Sequence, residues 1–448
     1  MFCRVMLLIL PSDFCFRFII IKPCFMFALL DCNNFFVSCE RALNPALENK
    51  PVVVLSNNDG CVVSRSNEAK NLGVPMGAPV FKYRDLFNLH QVECFSAKFE
   101  YYNFKSQQVS AIARQYSPNY EIYSIDELFL DFHGFKYFDL EEYSQNIKQR
   151  ILLETNIPVS IGIAPTKTLA KLANRIAKKY PEKLNGVYIL DSPDKIEKAL
   201  KWLDIEDVWG IGRRLGVKMR DYGVNKAFDL FQKPEIWIRK MMGINGVRML
   251  NELKGIKQLE LNTPAKKQSI ATTRSFMDMI SEKEILRERI ETFSFSCAEK
   301  LRKQASCCKM ITVFVRTNRF RKDLPEYRNG LSLVLPNPSS SSIVLAKAAN
   351  VIFDAIYKEG FHYKKAGVIV SDFVPEDERL INLFEKDVEQ KHLPIMKTMD
   401  FLNKKYGKDK IRLASQNGKP TYERKLLSPE YEEFLKSNTL PEANFRFH

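Results

Sequence analysis

Long apolar runs, paired metal ligands and histidine are all scarce in this sequence of 448 residues. The most apolar stretch, Met1–Phe25, is broken by Arg4, Pro11, Asp13, Arg17 and Lys22. No part of it reaches the roughly 18 residues that a membrane-crossing helix needs, and it has no small-residue cleavage site of the signal-peptide kind. Residues 1–25 therefore read as a misassigned or dispensable leader, with Met26 as the natural start, and no membrane partner is expected. The five histidines stand singly, and no C-x-x-C occurs among the ten cysteines. That excludes a zinc site built from closely spaced ligand pairs. The thiols read as reduced, in a cytoplasmic protein.

What is present is cationic. Lys and Arg number 68 against 53 Asp and Glu, a formal net charge of +15. Such an excess favours a polyanionic partner, either nucleic acid or an acidic membrane surface. With 45% apolar and 27% charged residues the composition is that of an ordinary globular chain, which excludes a disordered tail protein, a collagen-like repeat and a disulfide miniprotein. The length suits about two to four domains.

Periodicity supplies an outline. Phe27–Asp31 predicts a short buried strand ending on a carboxylate, and Asn33–Leu43 a helix closed by Asn44-Pro45. Val52–Ser56 reads as a second strand, Asn57-Asn-Asp-Gly60 as a hairpin-type turn, and Asn67–Leu72 as a helix stopped by Gly73. A long helix is expected over Tyr101–Tyr116. Tyr120–Asp131 places two apolar runs around an acidic pair, which predicts a β-hairpin with Asp126 and Glu127 at or near its tip. A helix over Leu140–Thr155, a strand over Val159–Ile163 and a helix over Lys167–Lys179 follow, the alternation of an α+β layer with an open sheet. Residues 192–262 read as short, glycine-punctuated helices. After a linker at Thr263–Lys267, a second unit has the order βαββαβ, the ferredoxin-like motif. In it Ser281-Glu-Lys-Glu284 reads as a capping box and Ser339–Ser342 offers an N-cap. Past Pro375 the chain becomes a polar tail.

Three carboxylates stand out: Asp31 at a strand end, and Asp126 with Glu127 in the hairpin. Acids at neighbouring strand ends can converge on divalent cations, and Mg²⁺ prefers such hard oxygen ligands. Two ions about 3.5–4 Å apart can activate a 3′-hydroxyl and stabilise a leaving pyrophosphate. Adjacent strand residues point to opposite faces, so Asp126 and Glu127 can both serve only if the hairpin bends there. A solvated acidic turn is the competing reading, and spacing alone favours it.

The flanking residues tip the balance. Asp31-Cys-Asn-Asn-Phe-Phe36, Ser124-Ile-Asp-Glu127 and Ile161-Gly-Ile-Ala-Pro-Thr-Lys-Thr-Leu-Ala-Lys-Leu-Ala-Asn174, in this order, resemble the Y-family of translesion DNA polymerases. The resemblance runs from about Met26 to Phe373, and Val52-Val-Val-Leu-Ser-Asn-Asn-Asp-Gly-Cys-Val-Val-Ser-Arg-Ser-Asn-Glu-Ala-Lys70 is similar to the UmuC branch in particular. It implies an α+β, multidomain right-hand polymerase. A ferredoxin-like palm would take residues 26–36 and 96–191, small fingers 37–95, and a helical thumb with a helix-hairpin-helix 192–262. A βαββαβ little finger would take 268–375 and a C-terminal tail 376–448. By the same resemblance Asp31, Asp126, Glu127 and the carbonyl of Cys32 are ligands of two Mg²⁺ ions. Some members carry a second acid where this chain has Asn33, which is not counted. Phe36 matches the aromatic gate that excludes a ribose hydroxyl, with Phe35 as its supporting ring; the competing reading is one apolar helix face. The amides of Cys32–Phe36 lie at a helix start, a natural anion site. The resemblance sets Ser64, Arg65 and Lys70 of the fingers, and Lys178 (or its neighbour Lys179), against the triphosphate of an incoming dNTP.

DNA must also be held. Val208-Trp-Gly-Ile-Gly-Arg-Arg214 resembles a helix-hairpin-helix turn, where Gly210 and Gly212 would let amides approach a phosphate and Arg213 and Arg214 add charge. Met242-Gly-Ile-Asn-Gly246 is a weaker second copy or a plain helix-loop-helix. Thr263–Gly330 holds fifteen Lys/Arg against eight Asp/Glu, a local charge of +7. Its cluster of Arg316, Arg319, Arg321, Lys322 and Arg328 is expected to grip primer-template DNA through phosphates, without reading sequence. In the tail, Arg379-Leu-Ile-Asn-Leu-Phe384 resembles a sliding-clamp-binding peptide anchored by Leu380, Leu383 and Phe384. Residues 404–429 are similar to the C-terminal extension of the UmuC branch, with no mechanism attached. The implied partners are a processed UmuD-type accessory subunit and a recombinase filament, and the implied place is the cytoplasm, on the nucleoid. The activity expected is error-prone, template-directed DNA synthesis past damaged bases in the SOS response, with no proofreading nuclease in this chain. Two alternatives stay open. A non-catalytic DNA-binding scaffold on a polymerase-like frame is disfavoured by the intact acids. A cyclase-like nucleotidyl transferase is disfavoured by the helix-hairpin-helix turn and the basic second unit.

Overall fold

Phe27-Ala-Leu-Leu30 is apolar without alternation, and all four residues are buried, as a strand covered on both faces requires. The computed structural model describes residues 26–262, 266–382, 384–407, 410–416, 424–431 and 434. The leader, most of the Thr263–Lys267 linker and Leu383 lie outside the described residues. In chain order the strands are β1 (Phe27–Cys32), β2 (Val52–Leu55), β3 (Val62–Arg65), β4 (Glu93–Ser96), β5 (Tyr120–Ile122), β6 (Glu127–Asp131), β7 (Val159–Ala164), β8 (Val187–Ile189), β9 (Ser269–Ile280), β10 (Ser306–Thr317), β11 (Arg328–Ser339) and β12 (Tyr363–Pro375). They form three sheets, ordered β5-β6-β1-β7-β8, β3-β2-β4 and β11-β10-β12-β9. With the helices between them, the architecture is α+β.

The chain divides into two compact units, one drawing on residues up to 50, 98–263 and from 430, the other on 51–97 and 264–429. In the first, β1 is central and antiparallel to both β6 and β7. The helix Lys167–Lys179 presents Leu169, Leu172, Ala173 and Ile176 at helical spacing to the sheet, and all four are buried. Gly162 of β7 allows this approach: a Cβ there would stand 2.0 Å from the Asn174 amide nitrogen and 2.5 Å from the Ala170 carbonyl oxygen. The helices Pro193–Trp202, Arg213–Asp221, Ala227–Phe231 and Glu235–Leu253 add Leu200, Met219, Leu230 and Leu250 to the same apolar core. The Met242–Gly246 segment lies within one helical run that is interrupted at Gly243, where φ is 67°. The break there joins two helices, the arrangement common to both readings of this segment.

In the second unit, β2 pairs antiparallel with β3 and parallel with β4 around Val53, Leu55, Val62, Val74 and Phe87. The strand β4 and the helix Val80–Leu89 were not anticipated; that helix buries only Phe87, so it carries little periodic signal. The βαββαβ order appears as β9, Lys283–Lys303, β10, β11, Ser342–Ile356 and β12. Ile311, Val313, Val315, Val368 and Val370 face a core shared with both helices. The N-cap at Ser341 forms, its hydroxyl accepting from the Val344 amide at 3.5 Å. The capping box at Ser281–Glu284 does not: the helix starts after Glu282 without a side-chain cap, because the Ser281 hydroxyl is engaged by His362 Nδ1 at 2.6 Å. Among the described residues, no helix is long and apolar enough to cross a membrane.

Candidate active site and nucleic-acid interface

β1 ends with Asp31 opposite Glu127 of β6 in the antiparallel register, so the two side chains share a face. The hairpin bends between β5 and β6: the amides of Tyr123 and Ser124 both donate to the Glu127 carbonyl, at 3.0 and 3.1 Å. The bend leaves Asp126 outside the strand, so strand alternation no longer dictates its direction. The Asp126 carbonyl accepts from the Cys32 amide at 2.9 Å, which ties the bend to the end of β1. Its carboxylate accepts from the Ser124 hydroxyl at 2.5 Å.

The helix Lys167–Lys179 supplies the countercharge. Lys171 and Lys178 lie seven residues apart, on one side of the helix. Lys171 Nζ reaches Glu127 Oε1 at 2.7 Å, and Lys178 pairs with Asp31. Between them the buried Asn174 donates from its amide to the carbonyls of Ser160 at 2.7 Å and Leu29 at 3.2 Å, locking the helix to the sheet. Burial pushes the Asp31 carboxyl up to about 6, against the pull of Lys178 and with a further push from Glu127 and Asp126. Asp31, Glu127, Lys171 and Lys178 line a cavity of about 290 Å³ that also includes Asn174, Asp207 and Trp209. The Lys171 ammonium lies 4.5 Å from the Tyr123 ring centre and 5.1 Å from that of Trp209.

Lys171, Asn174 and Trp209 were not singled out from sequence. The first two recur with Lys178 at i, i+3 and i+7 of one helix, a signal that could have found them; Trp209 is placed by tertiary packing alone. Among the described residues, no three His, Cys, Asp or Glu side chains gather closely enough to enclose a metal ion. The donor chemistry does fit Mg²⁺, since hard carboxylate oxygens stand together and one of them is buried at a cost that a cation would relieve. Cys32 keeps its thiol buried, so only its main chain is available as a ligand.

Phe35 is buried at 4% exposure and Phe36 is half-buried, so the two rings differ in role. The Phe36 ring lies nearly parallel to Tyr102, with centres 4.7 Å apart and 16° between planes. Phe99 meets it edge-on at 5.8 Å. The helix Phe35–Leu43 begins after Asn34, which takes a left-handed φ of 46°.

Other candidates fall on separate elements. In the second unit Ser64 and Arg65 sit on β3, and the Arg65 guanidinium donates to the Val74 carbonyl. Lys70 donates to Asn67 Oδ1 at 3.1 Å. In the first unit Gly210 has φ 96°, Gly212 precedes the helix Arg213–Asp221, and Arg213 and Arg214 are exposed at its start. On the larger sheet of the second unit, Arg316 stands directly between Arg328 of β11 and Lys365 of β12. Its guanidinium lies 5.0 Å from the Phe314 ring centre, and that of Arg319 4.8 Å from Phe320. In the tail, Arg379 forks onto Asp387 at 2.5 and 3.3 Å. Leu380 and Phe384 are exposed at 82% and 97%.

Comparison with known proteins fits this geometry. Residues 30–175 match the impB/mucB/samB family, residues 267–383 the C-terminal domain of that family, and residues 394–432 a domain of unknown function. The chain is 39% identical over 412 residues to Protein UmuC of Salmonella typhimurium, covering 91% of this chain and 97% of that protein. It is 37% identical over 413 residues to Protein ImpB of Salmonella typhimurium, with the same coverage. To DNA polymerase IV of Bacillus velezensis it is 27% identical, covering 86% of this chain and 91% of that protein. Among solved structures, a Y-family DNA polymerase chimera built on Dbh matches with a TM-score of 0.63 at 21% identity, covering 80% of this chain and all of that one. The fold is thus that of the Y-family DNA polymerases. The chain belongs to the impB/mucB/samB family, in the UmuC branch of that class.

Proposed function

We propose that this chain, a DNA-directed DNA polymerase by family, carries out error-prone translesion synthesis, and that its reaction centre is the end of β1 where Asp31 meets Glu127 and the Asp126 bend. The observation that carries this reading is the register pair Asp31–Glu127, with Asp126 fastened to Cys32 at 2.9 Å, beside a cavity edged by Lys171 and Lys178. The resemblance names the surrounding parts: a palm at the five-stranded sheet, fingers at β2–β4, a thumb in the helices after residue 192, and a little finger from β9 to β12.

Asp31, Asp126, Glu127 and the Cys32 carbonyl would hold the divalent ions. When bound, these would lower the pKa of the primer 3′-hydroxyl and neutralise charge on the leaving pyrophosphate. The chain's own groups bind and orient. Lys178, paired with Asp31, would exchange that contact for a phosphate oxygen, and Lys171 would hold Glu127 in position while its ammonium rests on Tyr123 and Trp209. Arg65, Lys70 and Ser64 are assigned to the triphosphate by resemblance. Phe36, stacked on Tyr102, is the assigned gate against a ribose 2′-hydroxyl, with Phe35 as the buried ring behind it. Catalysis of this kind rests on positioning and charge stabilisation rather than on covalent chemistry.

Duplex DNA is assigned to Gly210, Gly212, Arg213 and Arg214 in the thumb and to Arg316 and Arg319 in the little finger. The exposed Leu380 and Phe384, with Leu383, are assigned to a sliding clamp. Action in the SOS response with a UmuD-type subunit and a recombinase filament, on the nucleoid in the cytoplasm, is proposed on the resemblance and on the relative named Protein UmuC. The test is extension of a primer across a template lesion by the full-length chain, with Mg²⁺ and with chelator. Templated, metal-dependent extension is expected. A DNA-binding scaffold gives none, and a cyclase consumes nucleotide without a template.

A further inference from the structure

We propose that the C-terminal segment holding Glu430, Tyr431 and Phe434 is a positioning element for sugar selection: it closes the buried polar seat on which the Phe36 ring rests. This rests on the reading of Phe36 as the sugar gate and goes beyond it, since Glu430 and Tyr431 belong to a domain of unknown function and Phe434 lies just past it.

The seat is a chain of contacts. Phe36 lies flat on Tyr102, which has no exposed surface. The Tyr102 hydroxyl donates to Glu40 Oε1, and Glu40 Oε2 accepts from Lys98 Nζ. The side chains of Glu40 and Lys98 are 1% and 0% exposed. A buried ion pair holds its geometry only while water is excluded and its remaining hydrogen bonds are made.

The C-terminal residues provide that closure at three points. Tyr431, itself 4% exposed, sets its ring 5.4 Å from Lys98 Nζ. Phe434 packs on Tyr101 at 4.9 Å and Phe104 at 5.6 Å, on the helix Phe99–Ala113 that carries Tyr102. Glu430 accepts from Asn44 Nδ2 at 2.7 Å, and Asn44 is the C-cap of the helix Phe35–Leu43 that carries Phe36. The extension therefore touches both helices whose side chains make the gate, without reaching the gate itself. A displacement of about 1 Å at a positioning group can change a rate about a hundredfold, so loosening Tyr102 should blunt discrimination before it affects dNTP use.

The test is single-nucleotide incorporation by the full-length chain, comparing kcat/KM for a dNTP with that for the matching rNTP. Tyr431→Ala and Phe434→Ala should lower the discrimination ratio about tenfold while kcat for the dNTP stays within about threefold. Tyr431→Phe keeps the ring over Lys98 and should restore the wild-type ratio. Tyr431→Leu keeps apolar volume without the ring, and should lower the ratio in a protein whose thermal midpoint shows that it is folded. Adding either alanine substitution to Phe36→Ala should cost no further selectivity, as expected of residues that act only through that ring. If the Tyr431 and Phe434 variants keep the wild-type ratio while Phe36→Ala loses it, the proposal is overturned and the gate stands. If Phe36→Ala also keeps the ratio, the gate assignment fails and this proposal with it.

Discussion

Charge is handled in opposite ways at the five-stranded sheet of the first unit and on the larger sheet of the second. At the first, Asp31 meets Lys178, Glu127 meets Lys171 at 2.7 Å and Asp126 accepts from Ser124. On the second, Arg316, Arg328 and Lys365 stand abreast on three neighbouring strands. Like charges directly opposite on a sheet are destabilising, whereas matched pairs in a partly buried site hold one another in place. The first arrangement suits a centre where each group must be at a fixed distance from the reacting atoms. The second suits a surface whose repulsion is relieved by a polyanion, with little demand on the position of any one side chain. Point changes should therefore act sharply at the first site and gradually at the second.

The largest expected effect is at the centre. Asp126→Ala should lower primer extension at least about a thousandfold, while primer-template affinity, measured by fluorescence anisotropy, stays near wild type. An Asp126→Ala chain that extends primers at an appreciable rate would remove the contrast altogether. Gly162→Ala comes next. The added Cβ would press on the backbone of Asn174 and Ala170, and overpacking against backbone should cost about 3 kcal/mol of folding stability in chemical denaturation. Since that helix also carries Lys171 and Lys178, extension should fall as well.

These sites differ in how far local sequence foretold them. The helices Leu140–Thr155 and Lys167–Lys179 end where their apolar spacing predicts, and the Asp126–Glu127 bend is a local property of Ser124-Ile-Asp-Glu127. The Lys171–Glu127 pair was not legible, because it depends on how closely a helix approaches a sheet, and Gly162 sets that distance. Trp209 is 82 residues beyond Glu127 and shares its cavity only through packing. The capping box at Ser281 failed for a related reason: a distant His362 claimed the hydroxyl that a local pattern assigned to the helix. Local rules foretold most elements and some of their ends, while tertiary packing decided which polar atoms meet.

On the larger sheet of the second unit the effect should be smaller and depend on salt. Replacing Arg316, Arg328 and Lys365 together by Ala should weaken primer-template binding tens of times at about 0.1 M salt. It should also flatten the slope of log affinity against log salt by nearly three, about 0.9 for each phosphate left without its cation. Single replacements should each remove about a third of that slope change, for any DNA sequence. A single variant that abolished binding would show that this stripe is a fixed site after all, and the contrast between the two sheets would collapse.

The smallest effect separates two adjacent lysines. Lys178 pairs with Asp31 and edges the cavity, whereas its exposed neighbour Lys179 is turned about 100° away by the helical repeat. An ammonium that neutralises an incoming phosphate should act mainly through substrate binding, so Lys178→Ala should raise KM for the dNTP about tenfold with a smaller change in kcat. Lys179→Ala should leave both near wild type. Equal losses in the two variants would mean that this helix end acts as a diffuse cationic surface, like the larger sheet, and that the sharpness attributed to the centre stops at Lys171. A loss confined to kcat in Lys178→Ala would instead place its ammonium against Asp31 throughout the reaction, as a group that orients the carboxylate rather than one that receives the nucleotide.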